Sequence, residues 1–167
     1  DALAHASFAG VAAAFVAAGL KCPVLDNVRA EIWLKLWGNL TFNPISALTH
    51  ATLADICADP HGRALAAQMM REAQAVAESL GITFRVSLEK RIEGAARVGR
   101  HKTSMLQDVE AGRPLEIDAL VGSVVELGQL AGVPTPTITA IHHATKLLDR
   151  TLTYEQVAVR SIPLPSS

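Results

Sequence analysis

Val28-Arg29-Ala30-Glu31-Ile32-Trp33-Leu34-Lys35-Leu36-Trp37-Gly38-Asn39-Leu40-Thr41-Phe42-Asn43-Pro44 is the run around which the chain organises itself. Val28, Ile32, Leu36 and Leu40 recur every fourth residue, a helical period, where a half-buried strand would alternate apolar and polar. Asp26 reads as the N-cap of this helix, because a short side-chain oxygen there can accept from an early backbone N–H. At the other end the ring of Pro44 disfavours helical geometry at Asn43, so a break or kink is expected.

Outward from this stretch the punctuation is that of further helices. Ala2 to Ala18 consists of strong helix formers and stops at Gly19. Lys21 to Leu25, interrupted by Pro23, reads as an extended linker or edge strand. Asp59-Pro60 is a cap followed by a proline at the first helical position, and Gly81 supplies the stop. Ser87 to about Arg100 places Leu88, Ile92, Ala95 and Ala96 on one side of a half-solvated helix. Thr103-Ser104 with Gln107 allows a capping box, and Gly112-Arg113-Pro114 marks a turn. Leu115 to Ala131 is the next helix, closed by Gly132, Pro134 and Pro136, and a last helix runs from Pro136 to Arg150 before a polar tail. The fold class is all-α, a helical bundle.

Composition narrows the function. Fifteen Lys and Arg against sixteen Asp and Glu leave no basic field for nucleic acid, and 4% aromatic residues offer few stacking platforms. The apolar segment Ala6 to Leu20 is too short and too rich in alanine for a membrane span, and reads as a buried helix. Nothing basic precedes it as a signal peptide requires, and the chain opens at Asp1 without methionine, as a piece of a longer protein would. Cys22 and Cys57 lack paired spacing, which fits a reducing, cytoplasmic setting.

Lys35, Asn39 and Asn43 are spaced by four and form one polar stripe on the helix. Two readings of it stand. In one, Lys35 extends its head to water along apolar neighbours and the asparagines bond to nearby loops. In the other, the ammonium protonates an oxygen that gains negative charge during reaction while the carboxamides hold substrate oxygens, as reduction of a carbonyl would need. Glu116, just after Pro114, is either a first-turn acidic residue favoured by the helix dipole or a functional carboxylate. Ser104 either caps its own helix or binds a substrate carboxylate beside free N–H groups.

Ile32 to Asn39, continuing through Asn43-Pro44-Ile45-Ser46-Ala47-Leu48, resembles the signature of the ketopantoate reductases (2-dehydropantoate 2-reductases). Thr103-Ser104-Met105-Leu106-Gln107-Asp108, Gly112-Arg113-Pro114, Glu116-Ile117-Asp118, Gly122 and Gly132-Val133-Pro134-Thr135-Pro136 resemble that family's second signature, in the right order. The resemblance spans residues 8 to 150. It implies an all-helical C-terminal domain of the 6-phosphogluconate dehydrogenase type, which in the full enzyme follows an NADPH-binding Rossmann domain. By motif, Lys35 falls on the general acid, Asn39 and Asn43 on substrate-binding asparagines, Ser104 on the serine that holds the substrate carboxylate end, and Glu116 on a glutamate that reaches the cofactor ribose.

The same resemblance divides the chain into residues 1–25 as the end of the dinucleotide domain and its linker, 26–152 as the helical substrate domain, and 153–167 as a tail. No G-x-G-x-x-G occurs, so NADPH would be bound mainly by the Rossmann partner, and this chain alone is expected to be inactive. His101 stands where some members have asparagine, and Leu53 where some have an amide that contacts substrate. The implied substrate is a small anionic 2-oxo acid, 2-dehydropantoate or similar, with pantothenate synthesis as the pathway in the former case.

Other chemistries find less support. His50, His61, His101, His142 and His143 offer no i, i+4 pair, so no metal is expected, and Cys57 reads as core. Arg91, Arg97, Arg100 and Lys102 read as a solvated basic face that also raises the potential near Ser104. Gly122, unfavourable inside a helix, calls for close packing or close ligand approach. The alternative function is a non-catalytic helical interaction or dimerisation module, with the first helix and Leu115 to Ala131 as its surface; a homodimer is compatible with either reading.

Overall fold

The helical period around Ile32 is realised in a computed structural model, which describes the backbone of residues 2–162 and the side chains of residues 8–162. Among the described residues eight α-helices follow one another: α1 (Ala2–Ala17), α2 (Val28–Thr49), α3 (Leu53–Ala58), α4 (Pro60–Ser79), α5 (Leu88–Val98), α6 (Ser104–Ala111), α7 (Ser123–Ala131) and α8 (Pro136–Glu155). A π-helical turn, Asp118–Gly122, leads directly into α7. Among the described residues there is no strand, so the all-α expectation holds and Lys21 to Leu25 is linker.

α2 is the axis of the bundle, packed against α4, α6 and α8. It starts from Asn27, whose side chain accepts from the Ala30 N–H at 3.1 Å, so the cap lies one residue beyond Asp26. It does not stop at Pro44. From Leu40 to Ala47 every residue is buried, and each large apolar side chain so covered contributes about 1.5–3 kcal/mol, against about 3 kcal/mol for one helical proline. Burial therefore outweighs the missing N–H, and the helix runs on to His50, which closes it in the left-handed conformation. Trp37 anchors the centre: its ring stacks on Phe84 with centroids 4.1 Å apart, and its Nε1–H donates to the Met70 carbonyl at 2.8 Å.

Local signals set most other boundaries. Asp59 accepts from the Gly62 N–H at 2.7 Å, and Pro60 opens α4 as expected. Ser87 caps α5, while Gly112 and Gly132 end α6 and α7 in the left-handed region that glycine adopts without strain. Thr103 caps α6 through the Leu106 N–H, but Gln107 donates to the Lys102 carbonyl, so the reciprocal half of the capping box is missing. The complete box lies at Thr52 and Asp55 and creates α3, a helix the sequence reading passed over.

Three further expectations need correction. α1 is not buried: Phe8, Val11, Phe15 and Val16 are all exposed. The helix expected from Leu115 begins only at Ile117, with Leu115 held instead through its N–H on Asp149. The final helix extends past Arg150 to Glu155, and the chain then docks along α6, with the Val159 N–H on the Val109 carbonyl and Arg160 Nε–H on the Glu110 carbonyl. Gly122 lies in the π-turn, where a Cβ would approach His142 Nε2 to 3.0 Å, so close packing of α8 explains it.

Candidate active site

Because α2 exposes one edge along α5 and the start of α6, the Asn39–Asn43 part of its fourth-residue stripe faces a concavity. Asn39, Asn43 and Ser104 line one cleft of about 310 Å³, together with Phe42, Leu53, Ala95, Val98, His101 and Thr103. Asn43 is buried, Asn39 half-buried and Ser104 exposed. On the same helix Thr41 and Ser46 bond their hydroxyls to backbone carbonyls. Asn39, Asn43 and Ser104 form no side-chain hydrogen bond among the described residues. Their donors and acceptors are available to a ligand, and the positive end of the α6 dipole adds to the field there.

Lys35, one turn earlier, is exposed and lines an adjoining groove of about 370 Å³ with Glu31, Leu34, Val86, Lys90, Arg91 and Gly94. Arg91 is the residue common to groove and cleft. Its guanidinium lies across α2 at Gly38, where a Cβ would come within 2.8 Å of Cζ and overlap Nη2. It is half-buried, and desolvation depresses its pKa below the ordinary arginine value. No ion pair or side-chain hydrogen bond engages it among the described residues. Glu31, the one carboxylate in the groove, is already paired with Arg85 at 2.9 Å.

The five sequence candidates are thus only partly gathered. Asn39, Asn43 and Ser104 share a cleft, and Lys35 borders it through Arg91. Glu116 lines neither cavity; it sits exposed before the π-turn, unpaired among the described residues. Leu53 and His101, singled out as departures, both line the cleft. Arg91 is the residue the sequence reading misassigned, as part of a solvated face with Arg97, Arg100 and Lys102. The latter three are exposed, but Arg91 turns inward. The available signal was Gly38, a glycine in the middle of a strongly apolar helix, which leaves room for a large partner. Among the described residues no group of three or more potential ligands could hold a metal ion.

Comparison with known proteins adds the family. The model for the ketopantoate reductase PanE/ApbA C terminal matches residues 27–149. A 2-dehydropantoate 2-reductase of Mesorhizobium japonicum is 64% identical over 126 residues, covering 75% of this chain and 39% of that protein. One from a Nostoc species is 32% identical over 136 residues, covering 81% and 43%. The crystal structure of a PanE/ApbA family ketopantoate reductase from Ralstonia eutropha superimposes with a TM-score of 0.81 at 31% identity, covering 86% of this chain and 49% of the other. The chain therefore spans about two fifths of the length of the curated relatives it matches.

Proposed function

The chain belongs to the ketopantoate reductase family, matching its all-helical C-terminal domain, and on that premise we propose that it binds a small 2-oxo acid and delivers the proton that completes its reduction to the 2-hydroxy acid. The observation that carries this reading is the meeting of Asn39 and Asn43 on α2 with Ser104 on α6 in one cleft, beside the groove that holds Lys35. A cationic donor, two carboxamides and a hydroxyl are the groups an anionic ketone requires.

In this reading the carboxamides of Asn39 and Asn43 and the Ser104 hydroxyl orient the substrate against the apolar wall of Phe42, Leu53, Ala95 and Val98. Nζ–H of Lys35 donates to the carbonyl oxygen and transfers its proton as negative charge builds there. NADPH is the proposed cofactor and, when bound, supplies the hydride. Glu116, by motif the glutamate that reaches the cofactor ribose, would accept from a ribose hydroxyl as an exposed carboxylate can. With no strand among the described residues, most of the nucleotide site falls to a Rossmann domain outside this chain, without which the chain is inactive. Residues 1–25 then belong with that partner, 26–152 form the substrate domain and 153–167 the tail.

2-Dehydropantoate is the leading substrate, which would place the reaction in pantothenate synthesis. A cytoplasmic setting is part of the proposal. Among the described residues no helix is long and apolar enough to cross a membrane. The test is NADPH oxidation by the reductase that contains this chain, across a panel of small 2-oxo acids. Oxidation with one or more of them supports the reading, and none with any member overturns it. The exposed apolar residues of α1 favour a second reading, a non-catalytic interaction or dimerisation module, which the same assay separates from the first.

A further inference from the structure

Arg91 is poorly explained as a structural residue. A half-buried guanidinium normally meets a carboxylate or a set of carbonyls, because stripping its water without a partner is costly. Arg91 meets neither among the described residues, although Lys102 and Arg113 on nearby elements each find an acid at 2.7 Å. Its position is also held open by sequence: only the missing Cβ of Gly38 lets the guanidinium lie against α2. In the adjoining groove Lys35 and Lys90 add positive charge, while the acid Glu31 is committed to Arg85. An anion is the missing partner of this arrangement.

We propose that Arg91 joins Ser104, which lines the same cleft, in binding the 1-carboxylate of the 2-oxo acid, and so makes the carboxylate next to the ketone a requirement of the site. This rests on the function proposed above. The geometry favours that carboxylate over a remote one for a simple reason. In a 2-oxo acid the carboxylate is bonded to the carbonyl carbon, so its receptor must lie within reach of both the proton donor and the polar cleft. Arg91 alone lines the Lys35 groove and the Asn39–Asn43–Ser104 cleft together. A guanidinium presents two parallel N–H donors in the plane of a carboxylate, which fixes the orientation of the ketone as well as its position. Arg91 is then a binding and orienting residue, with Lys35 left as the proton donor.

The experiment is an NMR titration of the reductase that contains this chain, following the Arg91 Nε–Hε signal and the side-chain NH₂ signals of Asn39 and Asn43. The probes are 3-methyl-2-oxobutanoate, its neutral amide, acetate and inorganic phosphate. The proposal expects the 2-oxo acid to move the Arg91 and asparagine signals with one common Kd, and the amide, acetate and phosphate to move Arg91 far less. Arg91→Met should weaken 2-oxo acid binding about tenfold or more, the scale of a lost charge-assisted bidentate contact. Gly38→Ala keeps the charge and suits the helix, yet should also weaken binding by displacing the guanidinium. Asparagine signals that respond while Arg91 does not would overturn this inference and leave the proposed function standing. Silence at all three residues would overturn both. An equal response to acetate or phosphate would reduce Arg91 to a general anion site and sink the proposal.

Discussion

Glu72 on α4 caps the start of α8 across the bundle: its carboxylate accepts the Thr137 N–H at 3.0 and 3.1 Å and the Ile138 N–H at 3.0 Å. Thr135, the residue in the N-cap position, makes no capping bond of its own. A buried acid thus replaces the local cap and ties α4 to α8, two of the helices packed on α2.

Replacing Glu72 by alanine leaves those amide donors covered and unsatisfied. Chemical denaturation should show a loss of about 2–4 kcal/mol with an unchanged m-value, and Glu72→Gln, which keeps one acceptor oxygen, a smaller loss. An alanine variant as stable as the parent would mean that the carboxylate contributes nothing to α8.

Asp118, at the start of the π-turn, is held by Lys146 at 2.7 Å and His142 at 3.0 Å. The hydrogen bond from Lys146, then that from His142, keeps its carboxyl below the ordinary value of 3.8, and the reciprocal bond from Asp118 holds the Lys146 amine above 10.5. The stabilisation from Asp118 is present above its unfolded value and fades as pH falls through the lowered one. That from Lys146 is present below 10.5 and fades as pH rises through the raised one. Since the pair is largely exposed, it contributes only about 0.5 kcal/mol. Asp118→Asn should therefore lower Tm by about 1–2 °C at neutral pH, a difference that shrinks as the pH falls through the lowered Asp118 value. A gap that persists in acid would refute the ion-pair account.

Cys57 is buried, with Sγ–H directed at the Ile92 carbonyl 3.6 Å away, while Cys22 is partly exposed in the linker. Burial pushes the Cys57 thiol above its ordinary 9.0, an effect Arg63 opposes without cancelling. Because the thiolate is the reactive form, iodoacetamide at pH 8 should label Cys22 well before Cys57, with Cys57 reacting only after denaturant is added. Equal rates in the native protein would show that the α3–α5 contact opens readily.

How much of this was legible in sequence depends on how local each cause is. Asp59-Pro60, Ser87, Gly112 and Gly132 act within a turn of themselves, and each marks its helix end as read. Thr52 and Asp55 carried an equally local signal for α3 that the reading missed. The break allowed for at Pro44 does not occur, because its local penalty is outweighed by the core around α2. The Glu72 cap could not be foreseen, since donor and acceptor stand far apart in the chain.

The site divides in the same way. The stripe Lys35, Asn39, Asn43 follows from helical period alone, but its meeting with Ser104 depends on how α2 and α6 pack. Arg91 looked like one charge in a basic run. Only the tertiary neighbour Gly38 turns it inward.

The central claim is that the Lys35 ammonium donates the proton during ketone reduction, and steady-state kinetics of Lys35→Ala in the reductase containing this chain tests it most directly. The account predicts a fall in kcat of about 10²–10⁴-fold with KM changed only a few-fold, since the interaction is strongest where charge has developed. An unchanged kcat, or a loss confined to KM, would contradict it.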